Sequence, residues 1–356
     1  MRGGPGPHDV PVTRRSEVVQ IDPTDPPPEP IRRAAAVLRA GGLVAFPTET
    51  VYGLGADGLN EGAVEKIFQA KGRPGDNPLI LHIAELSELA PLILGEPNAA
   101  AKALMAAHWP GPLTMIFPKS ALVPDRATAG LPTVAIRMPS HPVARELIRL
   151  AGTPIAAPSA NRSGRPSPTT AADVLEDMDG RIPLILDGGQ CEVGLESTVV
   201  DLTGGVPRVL RPGFVTAAEI KSAAGGSEID PAVLAPLSEG EAPRSPGMKY
   251  RHYAPMGEVT AFRGPGAVGE IARRYDQADN ALILALEENV PRYGNRCVLS
   301  LGRDESAMAS TLFRALREAD RLKAEHIFCE CVEPEGVGLA VMNRLLRAAA
   351  FNVIDT

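Results

Sequence analysis

At 356 residues the chain has room for about two domains, and its 44% apolar and 22% charged residues are those of a globular protein. Aromatic residues, at 4%, are too sparse for a base-stacking surface, and a net charge of −7 excludes wrapping nucleic acid with the whole surface while permitting a local basic cleft. No run approaches the ~20 apolar residues of a membrane span, and the opening stretch "MRGGPGPHDVPVTRR" has no apolar signal-peptide core. The cysteines, at 191, 297, 329 and 331, form no C-x-x-C pair. A cytoplasmic protein with reduced thiols and no membrane association is expected.

Residues 1–28, rich in Pro, Gly and Arg, read as a flexible leader. Pro30 suits the first turn of a helix "IRRAAAVLRA" closed by Gly41 and Gly42. Then come strand "LVAFPT", helix "EGAVEKIFQA", strand "LILHI", helix "NAAAKALMAAHW", and strands "LTMIFP" and "TVAIRMP". Helix "HPVARELIRLAG", strand "PIAAPSAN", helix "TTAADVLEDMDG" and strands "LILDGG", "STVVDL" and "PRVLRPG" complete residues 29–215. Helices and strands mix without strict alternation, so an α/β domain around a mixed sheet is expected.

Residues 216–254 turn Gly-, Pro-, Ser- and Ala-rich and read as a linker. Beyond it, residues 255–356 alternate strands ("EVTAFRG", "ALILAL", "CVLSL", "HIFCECV") with helices, as in a smaller open sheet of Rossmann-like topology. No G-x-G-x-x-G follows its first strand, so no dinucleotide site is expected there. Cys329 and Cys331 alternate onto one strand face and read as core thiols rather than zinc ligands.

Four segments of the first domain carry polar residues where a packed element hands over to a loop: "FPTETVYGLGAD", "KGRPGDNPLILHI", "APSANRSGRPSPT" and "GLESTVVDL" with the following "VLRPG". Taken alone, the second also fits a solvated turn. Together they supply Lys71, Arg73, Arg137 and Arg211 beside many hydroxyls and amides, a mix suited to a phosphate chain. Pro158, Pro166 and Pro168 stiffen the third loop, which lowers the entropy lost when it orders around a ligand. No P-loop, no H-E-x-x-H, no orderable Ser-His-Asp set and no His/Cys metal spacing is present. His82 reads either as an acid or base or as a satisfied structural group. Electrostatic stabilisation and positioning fit this inventory better than a covalent nucleophile.

These segments resemble the Sua5/YrdC/YciO family, in its long two-domain form. The resemblance rests on "PTETVYGLGAD", on "KGRPGDNPLILH" with its K-x-R, on "PSANRSG" with its S-x-N, on "LESTVVDL" with "VLRPG", and on "SPGMKYRHYAP" in the linker. It implies a twisted mixed sheet around a basic cavity and L-threonylcarbamoyladenylate synthase activity: threonine, bicarbonate or CO2 and ATP give threonylcarbamoyl-AMP and pyrophosphate, for t6A modification of tRNA. Carried over by position, Thr50, His82, Arg137 and Ser197 match threonine-binding positions, with Ala157 contributing its backbone. Arg73, Asn77, Thr133, Ser159, Ser167 and Arg211 match ATP positions, and Lys71 and Asn161 complete the two named motifs. In the linker, Tyr253 matches a tyrosine that reaches into the active site, with Tyr250 as its neighbouring alternative.

The resemblance also implies Mg2+ accompanying ATP, a downstream tRNA threonylcarbamoyl transferase as partner, and weak tRNA binding. Lys71, Arg73, Arg211 and Mg2+ would neutralise charge developing on the phosphates. A linker arm carrying Tyr253 would exclude water from the labile carbamate. The competing reading is an RNA-binding protein of the same fold without synthase activity. A carbamoyl-adenylate enzyme of hydrogenase maturation would bring zinc-finger cysteines and an acylphosphatase module, which the sequence lacks.

Overall fold

The computed structural model describes residues 15–235 and 253–356. The first unit runs β1 (Glu17–Gln20), α1 (Pro28–Arg39), β2 (Val44–Phe46), β3 (Gly53–Asp57), α2 (Glu61–Lys71), β4 (Ile80–His82), α3 (Ala99–His108), β5 (Leu113–Pro118) and α4 (Asp125–Thr128). It continues through β6 (Thr133–Arg137), α5 (Pro142–Ala151), β7 (Ile155–Ala156), α6 (Ala171–Met178), β8 (Leu184–Asp187), β9 (Thr198–Asp201), β10 (Arg208–Arg211), α7 (Ala217–Ala224) and β11 (Glu228–Ile229). Its mixed sheet has the order β1-β8-β2-β3-β7-β4-β6-β5-β9-β10-β11.

The second unit comprises β12 (Glu258–Arg263), α8 (Ala267–Tyr275), β13 (Ala281–Ala285), β14 (Val298–Ser300), α9 (Glu305–Arg321), β15 (His326–Glu330), α10 (Gly338–Ala348) and β16 (Val353–Asp355). Its sheet, β14-β13-β15-β12-β16, is parallel throughout, as the strand–helix alternation requires. Cys329 is buried in its core and Cys331 packs against the same cluster, as strand alternation predicts. No helix among the described residues is long and apolar enough to cross a membrane.

Strand alternation explains where the cleft lies. In β4, β6, β5 and β9, the residues Leu81, Val134, Ile136, Leu113, Met115, Phe117 and Val200 face one way, into a core shared with α2, α3 and α7. On the opposite face, α1 and α5 cover the half built from β8, β2 and β7. The other half of that face carries a small apolar strip of Ile80, Ile116, Ala135, Val199 and Leu210. Beside the strip, the register aligns His82 with Arg137 and Arg137 with Thr114, so three polar side chains stand in one row. β3, unforeseen because its "GLGAD" lacks bulk, pairs antiparallel with β2. A Cβ on Gly55 would fall 2.8 Å from the Phe46 ring, so the apparent breaker is a packing requirement.

Two boundaries differ from the sequence expectation. Residues 17–20, assigned to the leader on composition, form β1 and pair in parallel with β8, with Ser16 and Ile21 buried at its ends. Four residues between Pro-rich flanks carry too short a pattern to stand out, and α1 starts at Pro28 rather than Pro30. The stretch after 215 is likewise not all linker. A Thr216–Glu219 capping box starts α7, which buries Ile220 and packs on α3, and β11 pairs with β10. Its Ala-rich helix reads as a tether because small residues carry little periodic signal. Residues 1–14 of the leader and Lys249, Tyr250, Arg251 and His252 of the linker lie outside the described residues.

The two units share apolar surface. Val51 and Leu195 of the first join Tyr253, Leu312 and Phe313 in one buried cluster. Gly194, at φ +77°, makes this approach possible, since a Cβ there would meet the Ser310 backbone at 2.5 Å. Arg317 of α9 donates to Asp177 at 2.7 Å and to the Pro166 carbonyl at 2.6 Å, and Arg321 pairs with Asp173 at 2.7 Å.

Candidate active site

Ile80, His82 and Arg137, at the strand ends of this half-face, form the floor of a cleft of about 740 Å³ including its mouth. Of the residues singled out by sequence, Thr50, Lys71, Arg73, His82, Arg137, Ala157, Ser159, Asn161, Ser197, Arg211 and Tyr253 line it. Asn77, Thr133 and Ser167 do not. Asn77 is fully buried below the loop, its carbonyl 3.5 Å from the Arg73 guanidinium. Thr133 shares the face of Arg137 but lies four residues back along β6, about 13 Å away at the usual strand rise. Ser167 acts one shell out, donating to Glu196 Oε1 at 2.5 Å.

At one end, "TET" folds into a hydroxyl-stabilised turn: Thr48 Oγ1 accepts from the Thr50 and Val51 amides, each at 3.2 Å. That turn brings Thr50 Oγ1 to Arg137, which donates from Nη1 at 2.8 Å. Glu49 approaches Arg137 Nη2 at 2.6 Å, yet off the hydrogen-bond axis, so both carboxylate oxygens lack a directed donor. Burial alone would raise the Glu49 pKa; the Arg137 guanidinium and the nearby backbone amides of Glu49 and Ser140 together outweigh it and hold the group ionised. Ser197 Oγ lies 2.8 Å from Thr114 Oγ1 and accepts from Arg211 Nη2 at 3.2 Å.

His82 resolves toward neutrality. Burial, and next the Arg137 charge, lower its pKa to about 3. Its Nδ1 lies 3.2 and 3.3 Å from the carbonyls of Ile80 and Ile155, which fixes the proton on Nδ1 and leaves Nε2 an acceptor. The unfolded chain takes up this proton near 6.5 and the native chain only near 3, so stability falls as pH drops through that window. The expected loss between pH 7 and pH 5 is about 2 kcal/mol. Denaturant unfolding of His82→Asn should show a correspondingly flatter acid limb. An unchanged slope would contradict the neutral assignment.

At the other end, Lys71 lands inside because Val64, Phe68 and Lys71 share one helix face, with Gly72 closing α2 at φ 60°. Its Nζ donates to the Ser159 and Asn161 carbonyls at 2.5 and 2.6 Å, with Asn161 Oδ1 at 3.4 Å. Burial, with the Arg73 charge adding, pushes the Lys71 pKa well down, against the opposing pull of the Asp177 and Glu196 charges. Lys71 therefore shapes the S-x-N loop besides facing the cleft, which the expectation of a simple phosphate cation did not include. Asn161 is similarly engaged, its amide donating to the Arg162 and Arg165 carbonyls at 2.8 Å. Ala157 gives its N–H to the Ile80 carbonyl.

Tyr253 forms part of the cleft wall at φ 64°, a strained angle for a tyrosine. Its ring packs 5.1 Å from Phe313, and the following Ala254 amide donates to the Gly164 carbonyl at 2.9 Å. Tyr250 lies outside the described residues. Glu196 belongs to the fourth polar segment of the sequence reading, which gave it no role, and Arg344 was not singled out. The Arg344 Nε donates to Glu196 Oε2 at 3.1 Å across the domain boundary. Asn343, Arg344 and Arg347 are buried, and polar residues in a helix read as a solvent face unless their partners in the other domain are known.

Comparison with known proteins matches residues 36–213 to the family profile of the Sua5, YciO and YrdC proteins, described as telomere recombination. Residues 215–350 match the threonylcarbamoyl-AMP synthase C-terminal domain. The threonylcarbamoyl-AMP synthases of Pyrococcus abyssi and Bacillus subtilis are both 48% identical, over 91% of this chain and 95% and 94% of theirs. The crystal structure of Pyrococcus abyssi Sua5 complexed with L-threonine superposes with a TM-score of 0.89 at 45% identity, covering 96% of this chain and 100% of that one. The reading as an RNA-binding protein without synthase activity gives way to these relatives. The chain belongs to the Sua5 family of two-domain threonylcarbamoyl-AMP synthases, the nucleotidyltransferases that serve t6A modification of tRNA.

Proposed function

We propose that the cleft seats L-threonine where Thr50, His82, Arg137, Ser197 and the Ala157 backbone meet, and ATP beside Leu79 and Ile80 toward Thr133. The observation that carries this reading is convergence: Thr50, His82, Arg137 and Ser197 line one cleft together with the cations Arg73 and Arg211. The relative solved with L-threonine supports the amino-acid end. Leu79 and Ile80 offer apolar lining suited to a base, on the side of β6 that leads back to Thr133. Asn77 and Ser167 then act from behind the wall, Asn77 under the Arg73 loop and Ser167 through Glu196.

The threonine amine combines with bicarbonate, losing water, to give a carbamate. A carbamate oxygen then forms a bond to the α-phosphorus as the α–β phosphoanhydride breaks and pyrophosphate leaves with its electron pair. Neutral His82 presents Nε2 as an acceptor to the bound amino acid, which a charged imidazolium could not do. Arg73 and Arg211 stabilise charge on the phosphates, Ser159 lines the nucleotide end with its hydroxyl donating to Asn161 Oδ1 at 2.6 Å in the loop that Lys71 holds, and Tyr253 screens the carbamate from water. Among the described residues no three His, Cys, Asp or Glu cluster as metal ligands, and Glu196 and Glu49 are committed to arginines. A Mg2+ ion would therefore come as part of the ATP substrate and would supply charge neutralisation on the phosphates beside Arg73 and Arg211.

The enzyme acts in the cytoplasm, as its four unbridged thiols favour, and hands its product to a tRNA threonylcarbamoyl transferase with only weak tRNA contact of its own. The test is pyrophosphate release. It should require threonine and bicarbonate together, and release at full rate from ATP alone would refute the scheme.

A further inference from the structure

Glu196 and Pro212 stand next in sequence to two cleft residues, Ser197 and Arg211, at adjoining ends of β9 and β10. A single side chain from the other domain ties them together. Arg344 of α10 is fully buried. It donates from Nε to Glu196 Oε2 at 3.1 Å, from Nη2 to the Glu196 carbonyl at 3.3 Å, and from Nη1 to the Pro212 carbonyl at 2.5 Å. Asn343 Oδ1 accepts from the same Nη1 at 3.1 Å, and the guanidinium carbon lies 6.0 Å from the centre of the Tyr253 ring.

We propose that Arg344 is a positioning residue of the synthase cleft, supplied by the C-terminal domain, which cancels the Glu196 charge and fixes the strand ends that present Ser197 and Arg211. The inference rests on the reading that this cleft holds ATP. Glu196 lines the cleft as a carboxylate, in the space that an anionic nucleotide must approach. Paired with Arg344 and Ser167, it has no charge to spare. Unpaired, it would repel the phosphates and draw Arg211 toward itself, since Arg211 already donates to the Ser197 carbonyl at 3.0 Å next door. The C-terminal domain thus contributes to nucleotide binding without a surface of its own facing the phosphates.

The effect should fall on one substrate. ATP is highly charged, whereas zwitterionic threonine has no net charge for Glu196 to repel. Arg344→Met in the full chain is expected to raise the ATP KM at least tenfold while moving the threonine KM less than threefold. A merely structural role would shift both alike. The double variant R344M/E196Q, which removes the stranded charge, should bring the ATP KM back to within about threefold of wild type. Should R344M fail to fold, Arg344→Gln carries the same test, because a neutral amide leaves the Glu196 charge uncompensated while keeping hydrogen-bonding capacity. It too should raise the ATP KM selectively. A wild-type ATP KM in the folded single variant, or no recovery in the double variant, overturns the proposal. Calorimetric ATP titration of the wild type separates the two levels: no binding there would overturn the underlying reading and the proposal with it.

Discussion

Arg73→Ala is expected to cut threonylcarbamoyl-AMP formation by roughly 10²–10³-fold, about 2.7–4 kcal/mol of transition-state stabilisation, while leaving the fold intact. The side chain lies on the loop after the αL cap of α2, half-exposed at the cleft wall. Its guanidinium donates to the Asn77 carbonyl at 3.5 Å from a half-exposed loop position, where truncation ordinarily costs the native state little. What it removes is a planar donor able to follow charge as it moves onto the leaving pyrophosphate. Lys71, two residues earlier, would give a less clean answer, because its ammonium also holds the S-x-N loop. Product formation by mass detection, alongside thermal unfolding, checks the expectation. Near-normal turnover in a folded Arg73→Ala would remove this residue from the phosphate site.

Valine in place of threonine should be rejected by about 10⁴-fold, and serine by only roughly 10–200-fold. The asymmetry follows from burial at the amino-acid end. Thr50, His82, Arg137 and Ser197 are each at most 4% exposed, so a ligand lacking the hydroxyl leaves buried polar groups facing a methyl. Serine keeps the hydroxyl and forfeits only apolar contact, a loss that hydrophobic pockets discriminate weakly. The measurement is kcat/KM for each amino acid at saturating ATP and bicarbonate. Comparable values for valine and threonine would contradict the proposed seat.

Much of the site was legible in the sequence because its residues cluster where strands meet loops. His82 and Arg137 end their strands, and Ser197 and Arg211 flank the β9–β10 pair, so apolar runs with polar ends announced them. The mixed sheet followed from strands and helices that fail to alternate, and the second domain from strands and helices that do. β1 and α7 were lost for a different reason, since four residues and an Ala-rich turn carry almost no periodicity. Lys71 was read as a free cation because the i, i+4, i+7 relation that turns it inward says nothing of the carbonyls waiting there. The Arg344–Glu196 pair could not be read at all. The two residues are 148 positions apart, and each taken alone is an ordinary charged residue of a helix or a loop. Cross-domain electrostatics of this kind are a property of the packed units rather than of any local pattern.

Mass detection of the adenylate, with each substrate omitted in turn, tests the central claim that one cleft joins an amino acid to a nucleotide through a carbamate. The account predicts a species with the mass of threonylcarbamoyl-AMP only when L-threonine, bicarbonate and ATP are all present, carrying label when the bicarbonate is carbon-13. A threonine–AMP adduct that forms equally well without bicarbonate, and takes up no label, would contradict it.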